Sequence, residues 1–426
     1  MKTTISQKPI RPIIEDCWDV FSQNRLPLAE KNSQFLFKTP ETDFQPTYYQ
    51  IGEFYNSKKV RILLQVFNYI SKRLWKLLIW PRFVNRALIQ INTHYFKHMN
   101  WDNEIPFKQT KAEFFNAIKY CAKRQPSAII NTPITDFLNV FGHSLQVYFM
   151  SIKGHRDIFF NEKKSQNDIC APLYFQLRSE QLLKDENFDH LIFLITRANW
   201  IDSFDNLASA FLTGFHDEVN EIMASQNINQ LVAPLLGQFD SRKLFNYLKQ
   251  KKRHILYELD NSGEVYFDLL LIEYLLKNDH HVTIVAKKEP CLNDVTLTDL
   301  RRILDHEDMQ WHHTYLNTNQ LSLIHNGSIN PGKTLATVSH QYKTAYMQSD
   351  LVILKGQGNF QTMPIGRTTN NQFKPFSYKS PIMILMGIKS NLILYSLTQL
   401  YQTKCPEMES IMVYFFDPLD PQTFPS

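Results

Sequence analysis

The chain has 426 residues, of which 43% are hydrophobic and 13% aromatic, enough apolar material to exclude wholesale disorder. Its length exceeds the roughly 250–300 residues at which a single core usually stops growing, so more than one structural region is expected. A formal charge of +5, from 46 Lys and Arg against 41 Asp and Glu, is too small an excess to mark a nucleic-acid binder.

Cys17, Cys121, Cys170, Cys291 and Cys405 lie far apart with no CxxC pair, which predicts a reducing, cytoplasmic setting and argues against a cysteine zinc site. The opening MKTTISQKPIRP has no apolar core of the kind a signal peptide needs, and no stretch reaches the length of a membrane span.

In chain order, residues 1–50 are rich in Pro, Gln and Asn without a sustained period and predict an irregular arm. Residues 51–250 predict a mainly helical domain. Within it, 58–96 alternates apolar and basic residues at helical spacing, and Pro81 divides the run into two helices. These helices bury one stripe and expose Lys and Arg. Alternatively, the cluster of Lys72, Arg73, Trp75, Lys76 and Trp80 forms a peripheral contact with an anionic membrane or a host protein. Further helices are expected around 110–123, 132–152, 173–185, 188–197, 205–224 and 242–251.

After Lys252 the texture changes. HILYEL, HHVTIVA and DLVILK are short strands, and FDLLLIEYLLKN at 267–278 is a helix separating the first two. Strand, helix, strand with short turns is a parallel crossover, so residues 251–426 predict a three-layer α/β/α domain with a mostly parallel sheet. The apolar runs at 382–398 and 411–416 add strands or a helix to it.

Three strand ends carry polar residues suited to a metal ion and a phosphate. LYEL is followed by Asp260 and Asn261, oxygen donors of the kind that hold Mg²⁺ or Mn²⁺. Ser262 and Gly263 allow a tight turn whose backbone N–H groups can face a phosphate, and Glu264 opens a helix at the end where its charge is favourable. Asn293 and Asp294 follow the next strand. Lys355 ends the third and leads into Gly356, Gly358 and Asn359, where glycines keep side chains away from a ligand and the lysine offers a point charge. Each piece also has a plain structural reading: Asp260 and Asn261 as a turn, Asp294 as a helix cap, Lys355 as a strand end.

Taken together, DNSGE, NDVTLTD, NGSINPGKT at 326–334 and SDLVILKGQGNF at 349–360 resemble, in order and spacing, the metal-dependent damage-control phosphatases, a family first known as a domain of unknown function. RANWIDSF at 197–204 resembles the family's upstream Asn-x-x-Asp element, and the similarity covers about residues 170–390. The resemblance implies a helical N-terminal domain on an α/β/α domain. It also implies one divalent ion (Mg²⁺, Mn²⁺, Co²⁺ or Ni²⁺) on Asp260, Asn261 and Asp294, and a small phosphorylated metabolite as substrate. Asp260, Asp202 and Lys355 are then the candidate catalytic groups. Asn199, Ser262, Gly263, Glu264, Gly356, Gly358 and Asn359 are the candidate phosphate or substrate contacts. Two departures stand out: Ser262 where the family often has Ala, and Ser390 after Lys389 where it often has Cys. The competing expectation is a protein that keeps the fold but binds a host or other partner, secreted without a classical signal peptide, or an enzyme of modified protein side chains or nucleotide sugars.

Overall fold

The computed structural model describes residues 159–179, 182–202, 207–225, 236–328, 332–333, 338–362, 364–367, 373–375, 380–389 and 410–417, with residues 49–50 and scattered single positions before them. Apart from Tyr49–Gln50 and a single position, the expected arm lies outside the described residues, as do the helices of 58–96 and the segment 391–409. The chain divides into two compact units, Met1–Lys31 with Gly52–Phe159, and Asn32–Ile51 with Phe160–Ser426. No described helix is long and apolar enough to cross a membrane.

The second unit is an α/β domain. Its sheet is built from β2 (Leu236–Phe239), β3 (His254–Glu258), β4 (His281–Ala286), β5 (Leu321–His325), β6 (Leu351–Lys355), β9 (Ile382–Gly387) and β10 (Ile411–Phe416), in the spatial order β2-β10-β9-β6-β3-β4-β5. All neighbours pair in parallel except β9 and β10, so the sheet is mixed but mostly parallel. Strands β6, β9 and β10 are buried along their whole length, as expected where helices cover both faces and every position must be apolar. A separate small antiparallel sheet joins β1 (Tyr49–Gln50), β7 (Pro364–Arg367) and β8 (Phe373–Pro375).

The flanking helices are α1 (Phe160–Ser179), α2 (Phe188–Ala198), α3 (Leu207–Ala224), α4 (Ser241–Gln250), α5 (Val265–Lys277), α6 (Leu297–Leu304), α7 (Trp311–Asn317), α8 (His340–Gln348) and α9 (Gly356–Gln361). Helix α5 is buried from Val265 to Leu276, which explains its lack of a polar face: it packs against α1 and α2 as well as β4. Its buried Glu273 is held by Arg178 of α1 through two bonds of 2.6 and 3.0 Å. Helix α1 begins well before the expected 173 and runs through Pro172. The proline forfeits one backbone bond, but Cys170, Leu173, Tyr174 and Leu177 on either side of it are buried in the core, and that packing holds the helix together. A helical domain over 51–250 distinct from the sheet is therefore not what residues 160–250 form, since α2 contacts β9 and β10, and α4 contacts β10.

The order of the strands decides where a ligand can sit. From β3 the chain moves outward to β4 and β5, then returns so that β6 pairs on the opposite side of β3. At such a reversal the crossovers leave in opposite directions and open a crevice at the carboxyl ends of the two central strands. Those ends are Glu258, which pairs with Leu354, and Lys355 beyond it.

Candidate active site

Asp260 and Asn261 follow β3 at this crevice, and Asp294 is brought beside them by the loop after β4. Asn261 and Asp294 form an isolated antiparallel bridge, in which the Val295 N–H donates to Asp260 O at 2.9 Å and the Ser262 N–H to Asn293 O at 2.9 Å. Asp260, Asn261 and Asp294 are all buried.

The turn expected after Asp260 and Asn261 is present at Ser262–Glu264, but the cap expected of Asp294 is not. Asp294 does not cap α6: Thr296 does, its Oγ1 accepting from Asp299 N at 3.1 Å while Asp299 Oδ2 accepts from Thr296 N at 3.1 Å. Asp260 and Asn261 do not cap α5, which begins after Glu264 without a side-chain cap.

Glu264 instead is the hub of a buried network. Its Oε1 accepts from the Asn261 N–H and from Asn261 Nδ2, each at 3.0 Å, and its two oxygens share Asn199 Nδ2 at 3.0 and 2.9 Å. The same two amides reach Asp260 Oδ2, from Asn261 Nδ2 at 2.9 Å and from Asn199 Nδ2 at 3.2 Å. Asn199 Oδ1 accepts from the Gly387 N–H at 3.0 Å, so both ends of that amide are engaged within the protein. Asn199 lies just beyond α2, in a single turn of tight helix, Asn199–Asp202, which also carries Asp202; the Asp202 side chain lies outside the described residues.

Lys355 joins this network and faces protein oxygens. Its fully buried ammonium donates to Ile195 O at 2.7 Å, and lies 3.0 Å from Asp268 Oδ1 and 3.2 Å from Glu264 Oε2. Burial pulls its pKa down, but Asp268 and Glu264 more than reverse the effect and leave it above the ordinary lysine value. Burial lifts Asp268 to about 7; Lys355 opposes that rise and Glu264 adds to it. Tyr257 OH also donates to Asp268 Oδ1, at 2.8 Å.

The backbone groups expected to face a phosphate are likewise committed inside the protein. The Ser262 N–H is taken by Asn293 O, and the Gly263 N–H donates to Asn167 Oδ1 at 2.8 Å. The Ser262 hydroxyl is buried and has no partner among the described residues. Gly356 and Gly358 start α9 in place of an open turn, and Asn359 Nδ2 donates to Leu259 O at 3.0 Å and Lys355 O at 2.9 Å. The Oδ1 of Asn359 has no partner among the described residues.

Some members of the site carried little sequence signal. Lys287, the first residue after β4, is buried with its Nζ 3.3 Å from Asp294 Oδ2. Glu258, the last residue of β3, accepts from Lys333 Nζ at 2.5 Å and from Tyr342 OH at 2.6 Å, fastening part of the NGSINPGKT segment to the strand end. Asp268 was detectable in principle, as a carboxylate four residues after Glu264 and, with Glu273, one of two in a mostly apolar helix.

No group of three or more His, Cys, Asp or Glu side chains arranged for a metal occurs among the described residues. Three neighbouring side chains could still offer a hard divalent cation their oxygens. Asp260 and Asp294 supply carboxylate oxygens. Asn261, with its Nδ2 committed to two carboxylates, presents an Oδ1 that accepts no hydrogen bond among the described residues. Among the described residues, the carboxyl groups of Asp260, Glu264, Asp268 and Asp294 share one buried cluster with the ammonium groups of Lys287 and Lys355.

A buried, carboxylate-rich set of oxygens at the switch point of a mostly parallel sheet defines an α/β protein with a polar crevice. Comparison with known proteins narrows this. The damage-control phosphatase ARMT1-like domain model matches residues 80–408, and the chain belongs to that family. An uncharacterised protein of Methanocaldococcus jannaschii is 28% identical over 258 residues, 57% of this chain and 75% of its own length. A damage-control phosphatase of Pyrococcus horikoshii is 33% identical over 155 residues, with 36% of this chain and 48% of that protein aligned. One from Arabidopsis thaliana is 28% identical over 214 residues, covering 48% and 56% respectively. The alignments to these two phosphatases thus span about half of their length. The crystal structure of a DUF89 family protein from Pyrococcus horikoshii superposes with a TM-score of 0.53 at 19% identity, covering 77% of this chain and 96% of that one, and shows the shared fold.

Proposed function

We propose that the protein is a metal-dependent phosphomonoester hydrolase acting on a small phosphorylated metabolite. The observation that carries this reading is the oxygen set of Asp260, Asn261 and Asp294, buried side by side at the switch-point crevice in a chain of a phosphatase-domain family. A divalent ion (Mg²⁺, Mn²⁺, Co²⁺ or Ni²⁺) held there supplies Lewis-acid stabilisation of phosphoryl charge and makes a water more acidic.

The chain's own groups do the rest. Asp260 is held in place and made a poorer nucleophile by the two amide N–H bonds to its Oδ2, which favours attack by water over an aspartyl phosphate. Asp202, on the turn that also carries Asn199, is assigned to orienting that water or protonating the leaving oxygen. Gly356 leaves room for the Asp260 carboxylate itself, which a Cβ at that position would strike.

The test is a phosphate-release screen over phosphorylated metabolites with Mg²⁺, Mn²⁺, Co²⁺ and Ni²⁺, run beside the D260A variant. Metal-dependent release that disappears in D260A is expected. A screen in which no compound separates the two proteins overturns the reading.

A further inference from the structure

We propose that Lys355 is a positioning residue: it fixes Glu264, and through Glu264 the amide orientation of Asn199 and Asn261, without itself touching the phosphoryl group. This rests on the metal reading of the site and goes beyond it. An ammonium has three N–H donors, and Lys355 has three oxygens within reach, from Ile195, Asp268 and Glu264. The three lie on different parts of the frame. Ile195 O belongs to the last turn of α2, the negative end of the helix, which attracts a cation; Glu264 and Asp268 belong to the start of α5; the lysine ends β6. Lys355 therefore ties together the three elements that deliver Asn199, Asn261 and the crevice.

What Glu264 then does follows from hydrogen-bond chemistry. A carboxylate only accepts, so it selects the NH₂ end of each amide that faces it. Asn261 gives its two amide hydrogens to Glu264 Oε1 and Asp260 Oδ2, which turns its Oδ1 outward as a ligand oxygen. Asn199 gives its hydrogens to Glu264 and Asp260, while Gly387 N–H holds its Oδ1. If Glu264 were shifted or replaced by an amide, Asp260 Oδ2 alone would select the NH₂ end of Asn261, and one acceptor would hold the orientation that two hold now.

The experiment measures Mn²⁺ affinity by calorimetry, and inhibition by inorganic phosphate, in the wild type, K355M and E264Q, with circular dichroism checking the fold of each. E264Q is nearly isosteric and keeps the assay decisive if K355M does not fold. The expected result is Mn²⁺ affinity at least about tenfold weaker in both variants, kcat reduced, and KM for the substrate little changed, the pattern of a misplaced metal ligand. Wild-type Mn²⁺ affinity in folded E264Q, or in folded K355M with phosphate inhibition lost, overturns the proposal and returns Lys355 to the phosphoryl group. Wild-type protein that binds no Mn²⁺ overturns it as well. Tight Mn²⁺ binding without phosphatase activity counts against the hydrolase reading alone, since the affinity comparison stands without turnover.

Discussion

The Cα of Gly356 lies directly against the carboxylate of Asp260: a Cβ built on Gly356 would fall 1.6 Å from Asp260 Oδ2 and 2.2 Å from its Cγ. The residue also sits at φ +74°, where any L side chain is strained. Gly356→Ala is therefore expected to displace the Asp260 carboxylate and to lower metal affinity and phosphate release together by about 100-fold, the scale of a disturbed ligand shell. Calorimetry and a phosphate assay on the folded variant check it. Unchanged metal binding would mean that Asp260 does not ligate.

The paired carboxylates make a second, separable prediction. D260A and D294N each remove one anionic oxygen donor, and each is expected to weaken Mg²⁺ or Mn²⁺ binding by at least about 100-fold. In D294N the buried Lys287, 3.3 Å from Asp294 Oδ2, also loses its counter-charge, so some loss of stability accompanies the loss of affinity. Undiminished affinity in both variants would remove the site.

What the sequence disclosed, and what it hid, follows from the range of the interactions involved. Strands β3, β4 and β6 were legible because a strand covered on both faces is an unbroken apolar run, and the polar residues that end such runs mark the crevice. β5 was missed because it is an edge strand whose burial is mixed, so that LSLIH reads as neither pattern. β2 was missed because LGQF carries a Gly and a Gln. The three polar strand ends were found, but not the partners that decide their roles. Nothing local to Lys355 reveals its contact with Ile195 O, which lies 160 residues away in sequence. Capping of α6 by Thr296 was within reach of a local pattern, as Thr296 and Asp299 have the spacing of a capping box.

Glu258 and Lys333 offer a test of the frame that bypasses the metal. Their pair, at 2.5 Å with both side chains 2% exposed, ties the segment around Lys333 to the end of β3, and Tyr342 OH satisfies the other Glu258 oxygen. Burial pulls the Lys333 ammonium below its ordinary pKa, with Glu258 opposing the shift. Lys333→Met leaves Glu258 buried without this counter-charge and is expected to cost about 3–5 kcal/mol. Glu258→Gln in the same chain should restore part of that loss. Urea unfolding of the single and double variants measures it, and additive losses would show that the two residues are not coupled.

His280 supplies the prediction for acid. It is buried, and its Nδ1 accepts the Arg253 N–H at 3.1 Å, a role open only to the unprotonated nitrogen. Burial first, and then the positive charge of Arg253, pushes its pKa from 6.5 to about 4. The folded chain thus binds this proton less readily than the unfolded chain does. Above 6.5 both states are neutral at this site and the stabilising contribution is complete; as pH falls from 6.5 to about 4 the unfolded state takes up the proton first and stability declines. Asparagine keeps an acceptor near the position of Nδ1 but does not titrate. The urea midpoint of His280→Asn is therefore expected to fall less steeply than that of the wild type across this window, and parallel curves for the two proteins would assign the acid sensitivity to other groups.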